Sequence, residues 1–306
     1  MDRALATFRL GAAASRLLPL DTLTWTADRA GAVAGPRLLP ARADQLRRNI
    51  ERTGPIGPER ARELARRGFG SYGRYWAESF RIPGLGVERI DRGFSFEGYG
   101  HIERVLASGV GPILVLPHLG GWEWAAAWLA RVIGVGVTAV VERLEPPEVY
   151  DWFVGLRSAY GVNVIPLGPG AMVQLTAAVK RGDVVCLLAD RDIGGNGLDV
   201  AFFGERTSLP VGPALLARRT GAPLLPTAVY FRGRQRVGVV TAPIAPGQGR
   251  GRDENERLTR AVADRLEALI ARAPEQWHLL EANWPADRGD PDPVARPHRD
   301  PLDRRR

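Results

Sequence analysis

The segment GPILVLPHLGGWEWAAAWLARVIGVGVTAVV, residues 111–141, carries the pattern on which the fold turns. Its apolar run Ile113–Leu116 stops at Pro117, then come His118 and the Gly120–Gly121 pair, and from Trp122 the residues favour a helix. A second apolar run, 135–141, follows the glycine that ends this helix. Short strands without polar alternation, separated by a helix, mark a mainly parallel sheet covered on both faces.

The same pattern repeats downstream. The pattern predicts helices over 122–133, 147–160 and 170–181 and strands over 162–166 and 183–189. A helix over PVGPALLARRTG (210–221), strands over PLLPTAVYF (223–231) and RVGVVTAPI (236–244), and a helix near 253–272 complete the core. Upstream, FSFEGYG (94–100) reads as strand and turn, and HIERVLASG (101–109) as a helix ended by Gly109. Residues 1–80 carry helical patterns, with helices over 41–54 and 58–84 bounded by Pro and Gly. In the second of these, Tyr72, Tyr75, Trp76 and Phe80 form one aromatic face, either core or the wall of a lipid-facing groove. The first 20 residues can be drawn as an amphipathic helix with Leu5, Phe8 and Leu17 beside arginines, lying in a membrane interface or packed on the core. Residues 286–306 are Pro-rich and alternately charged, so a disordered tail is expected there.

Composition sets outer bounds. The chain has 306 residues, 45% of them hydrophobic, enough for a sizeable core. Its net charge of +8 is carried almost wholly by arginine, which favours anionic partners such as phospholipid head groups or nucleotide phosphates. No signature of a nucleic-acid module appears. One cysteine, Cys186, excludes an internal disulfide and reads as a packed thiol in a buried strand. No run of apolar residues is long enough to span a membrane. G-x-S-x-G, G-x-G-x-x-G, the P-loop and H-E-x-x-H are all missing, which disfavours elbow-type hydrolases, dinucleotide and nucleotide binding and zinc proteases.

Chemistry concentrates at two strand ends. Ligands in open α/β sheets gather at the carboxyl ends of strands, where His118 falls. Glu123 sits in the first turn of the next helix, where the helix dipole favours a carboxylate. On an uninterrupted helix five residues turn about 140°, so the two face one pocket only if His118 precedes the helix. Glu123 could then contact or orient an imidazole acting as general base; the plain alternative is a helix-capping histidine beside an incidental glutamate. At the end of strand 183–189, Asp190 and Asp192 point the same way if the backbone is extended, so one could hold His118. An Asp-rich turn or a carboxylate pair on a divalent cation are the rival readings, although no third carboxylate clusters there and no metal is expected.

His118-Leu-Gly-Gly-Trp-Glu123 resembles the H-x-x-x-x-[D/E] motif of glycerolipid-type acyltransferases. Four further elements are similar to the lipid A biosynthesis acyltransferase family: Arg157-x-x-x-Gly161 with VNVIPLG, Ala189-Asp-Arg-Asp192, FFG at 202–204 and LPVGPALLARRTGAPLLP at 209–226. RRNIERTGP and SYGRYWAESFRIP extend the likeness through the helical part, and the latter looks most like the branch that acylates phosphatidylinositol mannosides in actinobacteria.

The resemblance implies one acyltransferase domain over 1–285, with a membrane-docking helical part (1–84) and an α/β core (85–285) whose mainly parallel central sheet is flanked by helices. It implies transfer of an acyl chain, typically palmitoyl, from acyl-CoA as co-substrate, without a cofactor, to a mannose 6-hydroxyl. The protein would sit peripherally on the cytoplasmic face of the plasma membrane, against anionic lipids. By position, His118 matches the base, Glu123 the motif's acid, Asp192 the second acid of the relay and Arg157 the arginine near the thioester. Asp190, Phe202, Phe203, Gly204 and Arg219 are the remaining candidates on the substrate side, with Arg219 available to coenzyme A phosphates. Another glycolipid acceptor, a thioesterase and a non-catalytic membrane-docked protein are the rival functions.

Overall fold

The computed structural model describes residues 3–288 apart from 248 and 250. Four helices come first: α1 (Arg3–Ser15), α2 (Leu20–Leu38), α3 (Pro40–Glu51) and α4 (Pro58–Arg81). Pro40 and Pro58 open α3 and α4, where a missing N–H costs nothing. Then α5 (Val87–Arg92), β1 (Phe94–Glu97) and α6 (Gly100–Ala107) lead to β2 (Ile113–Leu116) and α7 (Trp122–Trp128). Next are β3 (Val137–Val141), α8 (Pro147–Ser158), β4 (Val162–Pro166), α9 (Ala171–Lys180) and β5 (Val184–Leu188). A hairpin, β6 (Leu198–Phe202) and β7 (Glu205–Leu209), precedes α10 (Gly212–Thr220), β8 (Leu224–Arg232), β9 (Gln235–Val240), α11 (Arg252–Ile270) and the short α12 (Pro285–Arg288).

The central sheet has the order β1-β9-β8-β2-β5-β3-β4. Every neighbouring pair is parallel except β8 with β9, which form an antiparallel hairpin across Gly233 and Arg234. The expected mainly parallel sheet flanked by helices is therefore present. β2 lies mid-sheet, which explains its unbroken Ile-Leu-Val-Leu. Ile113 and Val115 point to the layer of α9, α10 and α11, where Leu175, Leu216 and Leu266 meet them. Leu114 and Leu116 point the opposite way, toward Ile90, Ile102 and Trp124 of α5, α6 and α7. Cys186 is buried on that second face, and burial pushes its thiol up to about 12, so it stays a neutral packing group.

Three details differ from the sequence pattern. The helix expected over 122–133 is α-helical only to Trp128; 129–133 form a π-helical turn closed by left-handed Gly134. The loop after Asp192 contains the β6–β7 hairpin, whose alternating exposure left no continuous apolar run to read. The tail expected over 286–306 lies outside the described residues beyond Arg288, and its first three residues belong to α12.

α2 packs along α4 at backbone distance. A Cβ on Gly31 would stand 2.4 Å from the Phe69 carbonyl oxygen, and one on Gly73 would stand 2.5 Å from that of Ala27. Just beyond this contact on α4, Tyr75 and Glu78 turn into the core.

Candidate active site

The β2–β5 register pairs Leu116 with Leu188, so His118 and Asp190, each two residues further on, emerge side by side. His118 Nδ1 lies 2.6 Å from Asp190 Oδ1, and the His118 backbone N–H donates to Asp190 Oδ2 at 2.9 Å. Trp277 Nε1–H donates to the same Oδ2 at 2.7 Å, and Asn283 Nδ2–H to the Asp190 carbonyl at 3.0 Å. The Asp190 side chain is completely buried and that of His118 is 30% exposed. With Nδ1 committed to the carboxylate, Nε2 is the ring atom left for proton exchange.

The two charges support each other. Burial pulls the His118 pKa down, but the charge and hydrogen bond of Asp190 outweigh this and hold it above the usual histidine value. Burial likewise pushes Asp190 up, and His118 together with the Trp277 and backbone donors brings it below the ordinary carboxylate range.

The turn carrying His118 is fixed by the backbone. Gly120 N–H donates to the Gln276 carbonyl at 2.9 Å, Gly121 N–H to that of Val229 at 3.1 Å, and His278 N–H to that of His118 at 2.7 Å. Gly120 has φ +59°, and a Cβ there would fall 1.8 Å from the Val229 oxygen, so no other residue fits without moving the strand.

Glu123 does not orient the imidazole. Its buried carboxylate accepts from Tyr75 Oη at 3.0 Å, Arg157 Nη2 at 2.6 Å and the Tyr160 hydroxyl, joining α4, α7 and the end of α8. Arg157 in turn lies over the rings of Trp122 and Phe153, at 5.4 and 5.7 Å. Burial pulls this guanidinium's pKa down, but Glu123 more than offsets that and fixes it as a cation. Burial, then Glu123, pushes both phenols well above the ordinary tyrosine value.

Asp192 is also separate from His118. The chain bends at Asp190 and Arg191 instead of staying extended, so the two aspartates diverge. Asp192 accepts from the Gly195 and Gly197 N–H groups at 3.0 and 2.8 Å and from Ser208 Oγ at 2.8 Å, closing its own loop. Phe202 is fully buried against Trp277 and Trp284, with ring centroids 6.2 and 6.0 Å away. Phe203 and Gly204 form the tip of the hairpin at φ +51° and +75°. Arg219 is exposed on α10. The aromatic stripe of α4 is largely enclosed, with Trp76 and Phe80 packed on Phe8 of α1 and on Phe153 and Trp152 of α8 respectively.

Three residues of the site escaped the sequence reading: Trp277, His278 and Asn283. They lie in QWHLLEANW (276–284), whose tryptophans are both fully buried. Two tryptophans seven residues apart, with a histidine between, were the available signal. The His278 Nε2 is 2.8 Å from Ser71 Oγ, and burial followed by the neighbouring His118 pushes its pKa down to about 3. His278 is therefore a neutral imidazole beside the first one.

The phosphatidylinositol mannoside acyltransferase of Mycobacterium tuberculosis is 38% identical over 250 residues, 80% of this chain and 78% of that protein. The protein of the same description from Mycolicibacterium smegmatis is 37% identical over 251 residues, 81% of each chain. The lipid A biosynthesis palmitoleoyltransferase of Escherichia coli is 27% identical over 274 residues, 85% of this chain and 84% of that enzyme. The model of the bacterial lipid A biosynthesis acyltransferases matches residues 7–285, so the chain belongs to that acyltransferase family.

Proposed function

We propose that the protein transfers a fatty acyl chain, palmitoyl in the first instance, from acyl-CoA to the 6-hydroxyl of a mannose on phosphatidylinositol mannosides. The observation that carries this reading is the His118–Asp190 pair, with one imidazole nitrogen fixed by a buried carboxylate and the other free at the carboxyl edge of the sheet. The higher identity to the two mycobacterial proteins than to the lipid A enzyme supports the mannoside as acceptor.

In the proposed reaction Nε2 of His118 takes the hydroxyl proton as the sugar oxygen attacks the thioester carbonyl. The tetrahedral intermediate collapses, the C–S bond breaks, and the imidazolium returns the proton to the departing thiolate. Asp190 keeps the proton on Nδ1 and stabilises the transient imidazolium. Glu123 acts at a distance, anchoring Tyr75, Tyr160 and Arg157 so that α4, α7 and α8 hold their places. The first two helices dock on anionic lipid. Exposed Leu10, Leu17, Trp25 and Leu38 support this, and no helix among the described residues is long and apolar enough to cross a membrane.

The test pairs wild type with His118→Ala, using radiolabelled palmitoyl-CoA and a panel containing phosphatidylinositol mannosides and a lipid A precursor. Labelled mannoside should appear with wild type and fall by about 10²-fold or more in the variant, whose circular dichroism should be unchanged. Equal labelling by both proteins would remove His118 from the chemistry. Labelling of the lipid A precursor alone would overturn the acceptor, and free palmitate as the main product would mark a thioesterase.

A further inference from the structure

Between α2, α4 and the turn at 274–276 lies a cleft of about 400 Å³ that none of the chemistry above uses. Its lining carries four arginines, Arg29 from α2 and Arg66, Arg67 and Arg74 from α4, against two acids, Asp28 and Glu275. Two of these guanidinium groups are held in place. Arg74 donates to Glu78 Oε1 at 2.7 Å and to the Gly233 carbonyl at 2.8 Å, and Arg67 reaches Glu275 at 3.2 Å. Arg29 and Arg66 are exposed at the mouth, with the Arg29 guanidinium 5.5 Å over the ring of Trp25, itself 62% exposed.

The cleft shares a wall with the candidate active site. Ser71 lines it, and the same hydroxyl is bonded to His278, whose N–H is bonded to the carbonyl of His118. Gln276 also lines it, and the carbonyl of Gln276 holds Gly120 of the His118 turn. Ser71 and His278 thus form a single layer between the His118 turn and a space lined by four arginines, so the two spaces are close neighbours. Guanidinium groups match the geometry of phosphate oxygens, and two at the mouth that pair with no carboxylate among the described residues can close on such a group.

We infer that this cleft binds the phosphate of a reactant, with the phosphodiester of the lipid acceptor favoured over the phosphates of coenzyme A. The preference follows from Trp25: the cleft opens beside an exposed indole on the helix that also bears Val33 and Leu38, where acyl chains would lie. This deepens the acyl-transfer reading and rests on it for the identity of the reactants.

The experiment uses the full chain and the double variant R29E/R66E. Equilibrium binding is measured for a water-soluble short-chain phosphatidylinositol mannoside, its phosphate-free mannosyl counterpart and coenzyme A, and steady-state rates are measured separately. Loss of two phosphate contacts should weaken the short-chain phospholipid about tenfold or more. The phosphate-free glycolipid and coenzyme A should bind as to wild type, kcat should stay within about twofold, and the thermal midpoint should not move. Weakened coenzyme A binding instead would keep the phosphate site and assign it to the donor. Unchanged binding of both phosphate-bearing ligands would overturn the inference. Normal phospholipid binding by a wild type that transfers no acyl group would refute the proposed reaction and leave the cleft standing.

Discussion

Asp190 holds both His118 Nδ1 and the His118 backbone N–H, so it sets ring orientation, tautomer and charge at once. Replacing it with asparagine should lower kcat by about 10²–10⁴-fold. It should also move the acid limb of kcat/KM to lower pH. The sign is determined by charge: the carboxylate holds the wild-type imidazole above its usual pKa, and a neutral amide no longer does. A pH–rate profile that keeps its acid limb in Asp190→Asn would contradict the pairing. Glu123→Gln should leave that limb in place and instead destabilise the fold, because Arg157 would be buried without a counter-charge. Breaking a buried pair costs about 3–5 kcal/mol, readable in urea unfolding. Sequence spacing offered Glu123, Asp190 and Asp192 as partners for His118. Choosing among them depends on which strand lies beside β2 and in which register, and on a bend at residue 190 that local residue types do not announce.

At the level of elements, α4 joins the helical layer to the sheet. Glu78, buried in its last turns, pairs with buried Arg236 of β9, whose guanidinium stacks 3.9 Å over Trp124 of α7. Glu78→Ala should therefore lower stability by about 3–5 kcal/mol, since an arginine would remain in the core without its carboxylate. Leucine or methionine at both 78 and 236 should recover part of that loss, and failure to do so would assign the pair a positional role beyond filling the core. The apolar strands β2 and β5 and the helices around them were legible because burial on both faces writes itself as an unbroken run. The β6–β7 hairpin was not: Leu198–Phe202 and Glu205–Leu209 expose alternate residues, and the chain reverses at Phe203, a side chain rarely found at positive φ. The antiparallel β8–β9 pair was equally hidden, because a strand's composition does not state the direction of its neighbour.

Across the whole molecule, half of the fourteen exposed large apolar side chains among the described residues lie on the helices and turns of the first 39 residues: Leu10, Leu17, Leu18, Trp25, Val33, Leu38 and Leu39. Seven such residues in about an eighth of the chain support docking of this end on lipid. The double change Leu17→Glu and Trp25→Glu should reduce sedimentation with anionic vesicles by about tenfold or more, with the thermal midpoint unchanged; undiminished sedimentation would place the contact elsewhere. The segment 276–284 has a different reach. Its Trp277 and Asn283 complete the support of Asp190, its His278 and Gln276 brace the His118 turn, and its carbonyls at Leu279 and Glu281 accept from Asn49 of α3. During synthesis the imidazole and its carboxylate leave the ribosome well before these residues exist. A nascent chain with β2 and β5 already paired still lacks the donors that hold the His118–Asp190 pair, so the pair gains its full support only after residues 276–284 have been made and have closed over it.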